Sequence, residues 1–287
     1  MKKTFTFRVV ILSLIVLLII LASSFAITAK AYVMPFYDLR PQEIVLRAEF
    51  STDYSKSSAE RKHNISLAAK SLNNVFVDVG GEFSFNKTVG VRTEKRGYKS
   101  AKIISNGEFV EGVGGGVCQV STTLYNAVIR AGLKITEFHA HSLSVSYVAP
   151  SMDAMVNSGS ADLRFINTTH NPIIVKTSAN GTLLTVRIYG EPLKEKYELK
   201  SVIKSEIPPE YEVIKDSAGE YPDLLNGERR IIKYGKSGIT SEGYLIKTLN
   251  GKVLTKTRVR RDRYLAINGT MVEGTALPES SNGNQAT

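Results

Sequence analysis

A cluster of glycines, Gly112, Gly114, Gly115 and Gly116, runs directly into a segment where Val117, Val120, Leu124, Ala127, Val128 and Ala131 recur at helical spacing. Apolar residues in that rhythm form one face that must be buried, so the segment is expected to be a core helix. Glycine adopts backbone angles that other residues avoid, so the preceding turn can be tight and can aim successive N–H groups at one point. Gly132 suits the C′ position that ends the helix. The only cysteine among 287 residues, Cys118, sits in the first turn. One cysteine excludes an internal disulfide framework, and with it any fold stapled by such bonds.

The period of the pattern changes along the chain. Ser57-Ser58-Ala59-Glu60 offers a capping box, and Ile65, Leu67, Ala68, Leu72 and Val75 follow at helical spacing. Glu82 to Ile104 reads as rich in strands, with Asn106-Gly107 as a hairpin turn. Ile135 to Tyr147 reads as extended, and Asp162–Ile166, Pro172–Thr177 and Leu183–Tyr189 as strands, with a second hairpin turn at Asn180-Gly181. Residues 49–192 are therefore expected to form a mixed α/β domain, and 193–206 a charged linker. Residues 207–275 show no amphipathic helix, and glycines punctuate short apolar runs. From Lys252 to Arg260, Val253, Thr255, Thr257 and Val259 alternate with mostly cationic residues, which suits a small elongated all-β module with one basic face. The tail 276–287 is rich in Ser, Asn and Gly and is expected to be disordered.

At the N-terminus, Lys2, Lys3 and Arg8 precede an apolar run from Val9 to Ile27, 19 residues long. About 20 apolar residues span a bilayer as a helix, so residues 1–31 read as a basic cytoplasmic end with a transmembrane anchor, and 32–48 as a stalk. The alternative is a cleaved signal peptide, because Ala29-Lys30-Ala31 resembles a cleavage site. The expected class is thus α+β with an N-terminal transmembrane helix. The expected location is the cell membrane, single-pass with the C-terminal part outside, or secretion after cleavage. A net charge of +10 suits phospholipid head groups or anionic wall polymers. Nucleic acid, the other common partner of such charge, is excluded by export and by the lack of any binding motif.

A helix N-terminus stabilises anions, so Cys118 is placed where a thiol is turned toward thiolate. The N–H groups of Gly114, Gly115 and Gly116 could then form an oxyanion hole, with Gln119 supplying an amide or merely capping the helix. The opposing reading is a small buried hydrophobe. Of four histidines, His63 and His170 look like surface residues. His139 and His141 stand at i, i+2 in an extended stretch, where both rings face one side. One of them could serve as base to the thiol. Alternatively the pair binds a metal, with Cys118 or Asp153 as third ligand. Asp153 either orients an imidazole, by triad logic, or caps a turn after Pro150-Ser151.

The runs FSFNKTVGVRTEKRGYKSAKIISNG, GVGGGVCQVSTTLYNAVIRAGL, HAHSLSVSYVAPSMDAMV and DLRFINTTHNPIIV, in this order, closely resemble the VanW domain of Gram-positive cell-envelope proteins. That resemblance implies peptidoglycan as partner, through its stem peptides and glycan strands, and a cysteine L,D-transpeptidase that forms 3–3 cross-links without a cofactor. It carries the nucleophile onto Cys118 and the base onto His141, with His139, Ser142, Tyr147 and Asp153 in the same block. Arg92, Arg96 and Lys99 would meet the stem's carboxylates, or are simply a solvated strand face. The runs KYGKSGITSEGYLIKTLNGKVLTKTRV and NGTMVEGT resemble the G-five extracellular domain, a family associated with wall enzymes and adhesins. Two other functions remain open at this point: a non-catalytic wall-binding protein, and a cysteine amidase or endopeptidase of peptidoglycan.

Overall fold

The structure is a computed structural model that describes residues 43–277 apart from Asn106. Helix α1 (Ala59–Leu72) begins at Ser58, whose hydroxyl accepts a hydrogen bond from the Arg61 N–H at 3.2 Å. Helix α2 (Phe85–Val89) is a single turn capped by Ser84. Helix α3 (Val117–Arg130) has Gly116 as its N-cap, in the left-handed region at φ 106°.

A four-stranded antiparallel sheet carries both long helices. Its order is β1 (Val45–Asp53), β9 (Leu183–Gly190), β8 (Ile173–Ala179) and β2 (Val75–Val77). Leu184, Val186 and Ile188 alternate along β9 onto the helix side, and all three are buried with Ile65, Leu72, Val120, Leu124 and Val128. Leu124 is 0% exposed. Leu124→Ala is therefore expected to cost about 2–5 kcal/mol, read as a lowered denaturation midpoint. An unchanged midpoint would show that the core does not centre there.

A second sheet, β3 (Glu82–Ser84), β7 (Arg164–Ile166) and β6 (Lys134–Glu137), stacks Phe83 on Phe165 with ring centroids 4.7 Å apart. β4 (Ser100–Ser105) and β5 (Glu108–Val113) form a hairpin in which Ser105 pairs with Glu108 across the expected two-residue turn; Asn106 itself lies outside the described residues. The turn at Asn180-Gly181 is also present, with Gly181 at φ 89°. In the C-terminal module, β10 (Lys196–Ile207), β13 (Gly238–Leu249) and β14 (Lys252–Tyr264) form one antiparallel sheet. β11 (Tyr211–Lys215), β15 (Gly269–Glu273) and β12 (Arg229–Lys233) form another, with β11 parallel to β15.

Several expectations need correction. Among the described residues there are fifteen strands against three α-helices, so the chain is mostly β and not a balanced α+β protein. The weight comes from strands of 12 and 13 residues in the C-terminal module, which are longer than its glycine spacing suggested. Residues 196–206, expected in a linker, belong to β10. There the density of charge hid a period of two in which Leu199 is buried. Val45 to Ala48, expected in the stalk, start β1. Residues 252–260, expected as a strand, lie in β14, and 252–258 are exposed on both faces. The transmembrane helix expected over 9–27 lies outside the described residues. Among those described no helix is long and apolar enough to cross a membrane. The expected tail falls almost wholly on residues that are not described, although Ala276 bridges to Leu225.

Candidate active site

Helix α3 does not keep a polar face toward solvent. Gln119, Ser121, Thr122, Thr123 and Asn126 are as buried as its apolar residues, and each has found a partner. The Ser121 hydroxyl donates to the Ala154 carbonyl at 2.5 Å, and the Ala154 N–H donates to Thr122 Oγ1 at 2.9 Å. Asn126 Nδ2 donates to the Met152 carbonyl at 2.7 Å. Buried polar groups are costly when unpaired, so these bonds pin the segment around residues 152–154 against the helix in one arrangement. That arrangement sets Asp153 and His141 beside the helix N-terminus.

Asp153 is 1% exposed. Its Oδ2 accepts from the His141 backbone N–H at 2.8 Å and from His141 Nδ1 at 2.7 Å. An ionised carboxylate only accepts, so Nδ1 carries the proton and Nε2 is left for the thiol. The His141 ring and the Cys118 thiol are near enough for each to shift the other's ionisation. Cys118 Sγ also contacts the Val156 carbonyl at 3.3 Å. Cys118, His141 and Asp153 thus stand in the order that a nucleophile–base–orienter relay requires.

The electrostatics follow from the packing. Burial pushes the Cys118 thiol up, but the hydrogen bond and charge of His141, helped by Arg92, outweigh it and the pKa is lowered. Burial pushes His141 down, yet the Asp153 bond and the thiolate raise it to about 9. Burial also opposes ionisation of Asp153, and His141, Arg260 and Tyr264 together hold it below the usual carboxylate range. The two shifts, thiol down and imidazole up, are in the directions that favour a thiolate–imidazolium pair.

Around the sulfur lies a groove of about 1410 Å³ lined by Gly114, Gly115, Gly116, Cys118, Gln119, His141 and Tyr147. Within the turn, the Gly114 N–H donates to Lys99, that of Val117 to Gly114 and that of Gln119 to Gly116. The N–H groups of Gly115, Gly116 and Cys118 have no backbone acceptor among the described residues. They are the donors available to an oxyanion, a set shifted along the chain from the Gly114, Gly115 and Gly116 groups expected. The Gln119 side chain bonds Thr52 and the Asp53 carbonyl, and its oxygen accepts from Arg61 Nη2 at 3.0 Å. It acts as a tether for Arg61. Tyr147 has its pKa raised, by burial first and then by the nearby Cys118.

Other expected residues sit elsewhere. His139 faces away from the groove, with Nε2 3.0 Å from Glu137. Strand β6 stops at Glu137, so the two rings do not share a face as an extended segment would require. Among the described residues no three His, Cys, Asp or Glu side chains converge as metal ligands. Ser142 is exposed, and only its carbonyl is engaged, by the Leu265 N–H at 2.7 Å. Arg92 lines the groove, while Arg96 and Lys99 do not. Sequence reasoning missed Arg61, Lys236, Arg260 and Tyr264. Arg61 follows the capping box by one residue and could have been found there. The other three come from the C-terminal module, and nothing local marked them.

Residues 60–189 match the family described as VanW like protein. Protein YoaR of Bacillus subtilis (strain 168) is 47% identical over 142 residues, which are 50% of this chain and 47% of that protein. The vancomycin B-type resistance protein VanW of Enterococcus faecalis is 30% identical over 112 residues, 37% of this chain and 40% of that protein. The chain thus spans about half the length of these curated relatives, or less. Its likeness to the solved G5 domain of HP0197 covers 29% of this chain and 100% of that one, at 20% identity and a TM-score of 0.18. For the G5 domain of an IgA1 protease the values are 29%, 90%, 21% and 0.20. With scores this low, the architecture of the module rests on its own strand pairing, given above. The matched span holds Cys118, His141, Asp153 and the glycine turn, and residues 60–189 form a VanW-like domain.

Proposed function

We propose that the chain is an extracellular peptidoglycan L,D-transpeptidase working through a cysteine acyl-enzyme. The observation that carries this reading is the Cys118–His141–Asp153 relay opening onto a large groove. The Cys118 thiolate attacks the carbonyl of the third residue of a tetrapeptide stem, and a carbon–sulfur bond forms. The N–H groups of Gly115, Gly116 and Cys118, which have no backbone acceptor among the described residues, are the donors for the oxyanion. His141 Nε2 gives its proton to the departing D-alanine amine as the peptide bond breaks. A side-chain amine of a second stem then attacks the thioester, His141 takes up its proton, and the thiolate leaves. The product is a 3–3 amide cross-link.

The groove supports this choice in two ways. Drug-sized ligands occupy pockets of about 300–1,000 Å³, and 1410 Å³ leaves room for donor and acceptor peptides together. Five Lys and Arg side chains (Lys56, Arg61, Arg92, Lys102 and Lys236) line it against three carboxylates (Asp53, Glu60 and Glu111), which favours a substrate bearing carboxylates. A relative named for vancomycin resistance is in keeping with cell-wall chemistry.

The test is incubation of the protein with disaccharide-tetrapeptide, followed by mass spectrometry. A cross-linked dimer lacking one D-alanine, and an acyl adduct on the Cys118 peptide, are the expected products. Trimmed monomer alone would assign hydrolysis instead. Binding without any product would leave a wall-binding protein.

A further inference from the structure

We propose that Arg260 and Tyr264 of β14, in the C-terminal module, are positioning residues of the Cys118 site that clamp Asp153 so that one carboxylate oxygen is presented to His141. This rests on the reading of Cys118 as an activated thiol. The division of labour on Asp153 is complete. Oδ2 serves His141, while Oδ1 accepts from the Tyr264 hydroxyl at 2.6 Å and from Arg260 Nη2 at 3.3 Å. Arg260 Nη1 holds the Asp153 carbonyl as well, at 2.7 Å. With Oδ1 occupied, the carboxylate cannot rotate to offer its other oxygen, and the imidazole inherits a fixed direction.

The strand is shaped for this task. Arg260, Asp262 and Tyr264 fall on one face of β14, with Arg260 and Tyr264 buried, while Arg261 and Arg263 on the other face are exposed. Opposite, β13 pairs Gly243 with Arg260 and Tyr244 with Arg258, so Val259 is an extra residue that turns Arg260 inward. A Cβ on Gly243 would lie 2.7 Å from Arg260 Cγ and 3.1 Å from the Ser151 carbonyl, so glycine makes the approach possible.

The Arg260 guanidinium lies 4.7 Å from the Phe138 ring centroid and 5.6 Å from that of Tyr125, and its Nε donates to Asp262 at 2.7 Å. A buried cation so enclosed is tolerated only when paired, and Asp153 and Asp262 are its partners. Tyr264 also accepts from the Ser151 N–H at 2.7 Å, and Ser151 Oγ meets Ser241 Oγ at 2.7 Å. The module therefore holds the 151–153 turn from three residues, and only two of them reach Asp153.

Because the chain has one cysteine, the rate of iodoacetamide alkylation against pH reports Cys118 alone. In the full chain, Tyr264→Phe and Arg260→Gln are expected to move this profile to higher pH. Each unit of movement slows alkylation at neutral pH about tenfold. Arg260→Lys should recover part of the loss, and Ser241→Ala, which loosens the same interface without touching Asp153, should leave the profile in place. Profiles for folded Tyr264→Phe and Arg260→Gln that coincide with the parent would overturn the proposal. If Arg260→Gln does not fold, Tyr264→Phe decides, since it loses a single hydroxyl. His141→Gln separates the two levels. If it shifts the profile and the module variants do not, only the clamp is wrong. If it too changes nothing, the activated-thiol reading falls and the clamp with it.

Discussion

Asp153→Asn is expected to slow acyl transfer by roughly a thousand- to ten-thousand-fold, the loss typical when a triad carboxylate is neutralised in place. The asparagine side chain keeps the shape but not the charge. Its amide can also turn an N–H toward His141, which sets the wrong tautomer. The pH dependence carries the sign. Asp153 and the Cys118 thiolate together raise His141 to about 9 against burial, so in the proposed mechanism the imidazolium that protonates the leaving amine persists up to that pH. Without the carboxylate, His141 falls back toward the ordinary histidine value of about 6.5. The Cys118 thiol, lowered largely by His141, rises in turn. The activity window therefore narrows from both sides: the alkaline limb moves down and the acid limb moves up. A bell-shaped profile unchanged in position would remove Asp153 from the relay.

Gly116→Ala is expected to destabilise the protein by roughly 2–5 kcal/mol and to abolish rapid alkylation of Cys118. Two effects add. At φ 106° a Cβ is strained whatever surrounds it, which costs about 1–2 kcal/mol. That Cβ would also meet Ile65 Cγ1 at 2.9 Å, Arg61 Cγ at 3.0 Å and the Arg61 carbonyl at 3.2 Å. Overpacking of this kind costs about 1–3 kcal/mol. Relief requires α1 and the first turn of α3 to separate, and that turn carries Cys118 and the oxyanion donors. Denaturant titration reads the first effect and alkylation the second. A variant as stable and as reactive as the parent would show that the turn is adaptable.

The reading of α3 shows where local patterns stop. Its apolar spacing and the glycine before it located the helix and its first turn within a residue. The same pattern does not say where its polar residues point, and Gln119, Ser121, Thr122 and Asn126 are the groups that hold β1, Arg61 and the turn before Val156 in place. Hydrogen-bonding residues on a helix look alike whether their partner is water or a distant carbonyl. His139 and His141 failed for a related reason. An i, i+2 spacing puts two rings on one face only while the backbone stays extended, and β6 ends before them.

The sequence by itself determined the long helices, the two tight hairpins, the likeness of residues 60–189 to the VanW-like family model and the choice of Cys118, His141 and Asp153 as the residues to watch. Each depends on side-chain periodicity, on glycine's freedom at a turn, or on residue type within a short block. Only the tertiary structure decided which histidine lies beside the sulfur, which backbone donors remain there, and that Asp153 is gripped by Arg260 and Tyr264. Those grips join positions 107 and 111 residues apart. The free energy of such a contact belongs to the packed interface, and an arginine in a basic strand carries no local mark of having been turned inward.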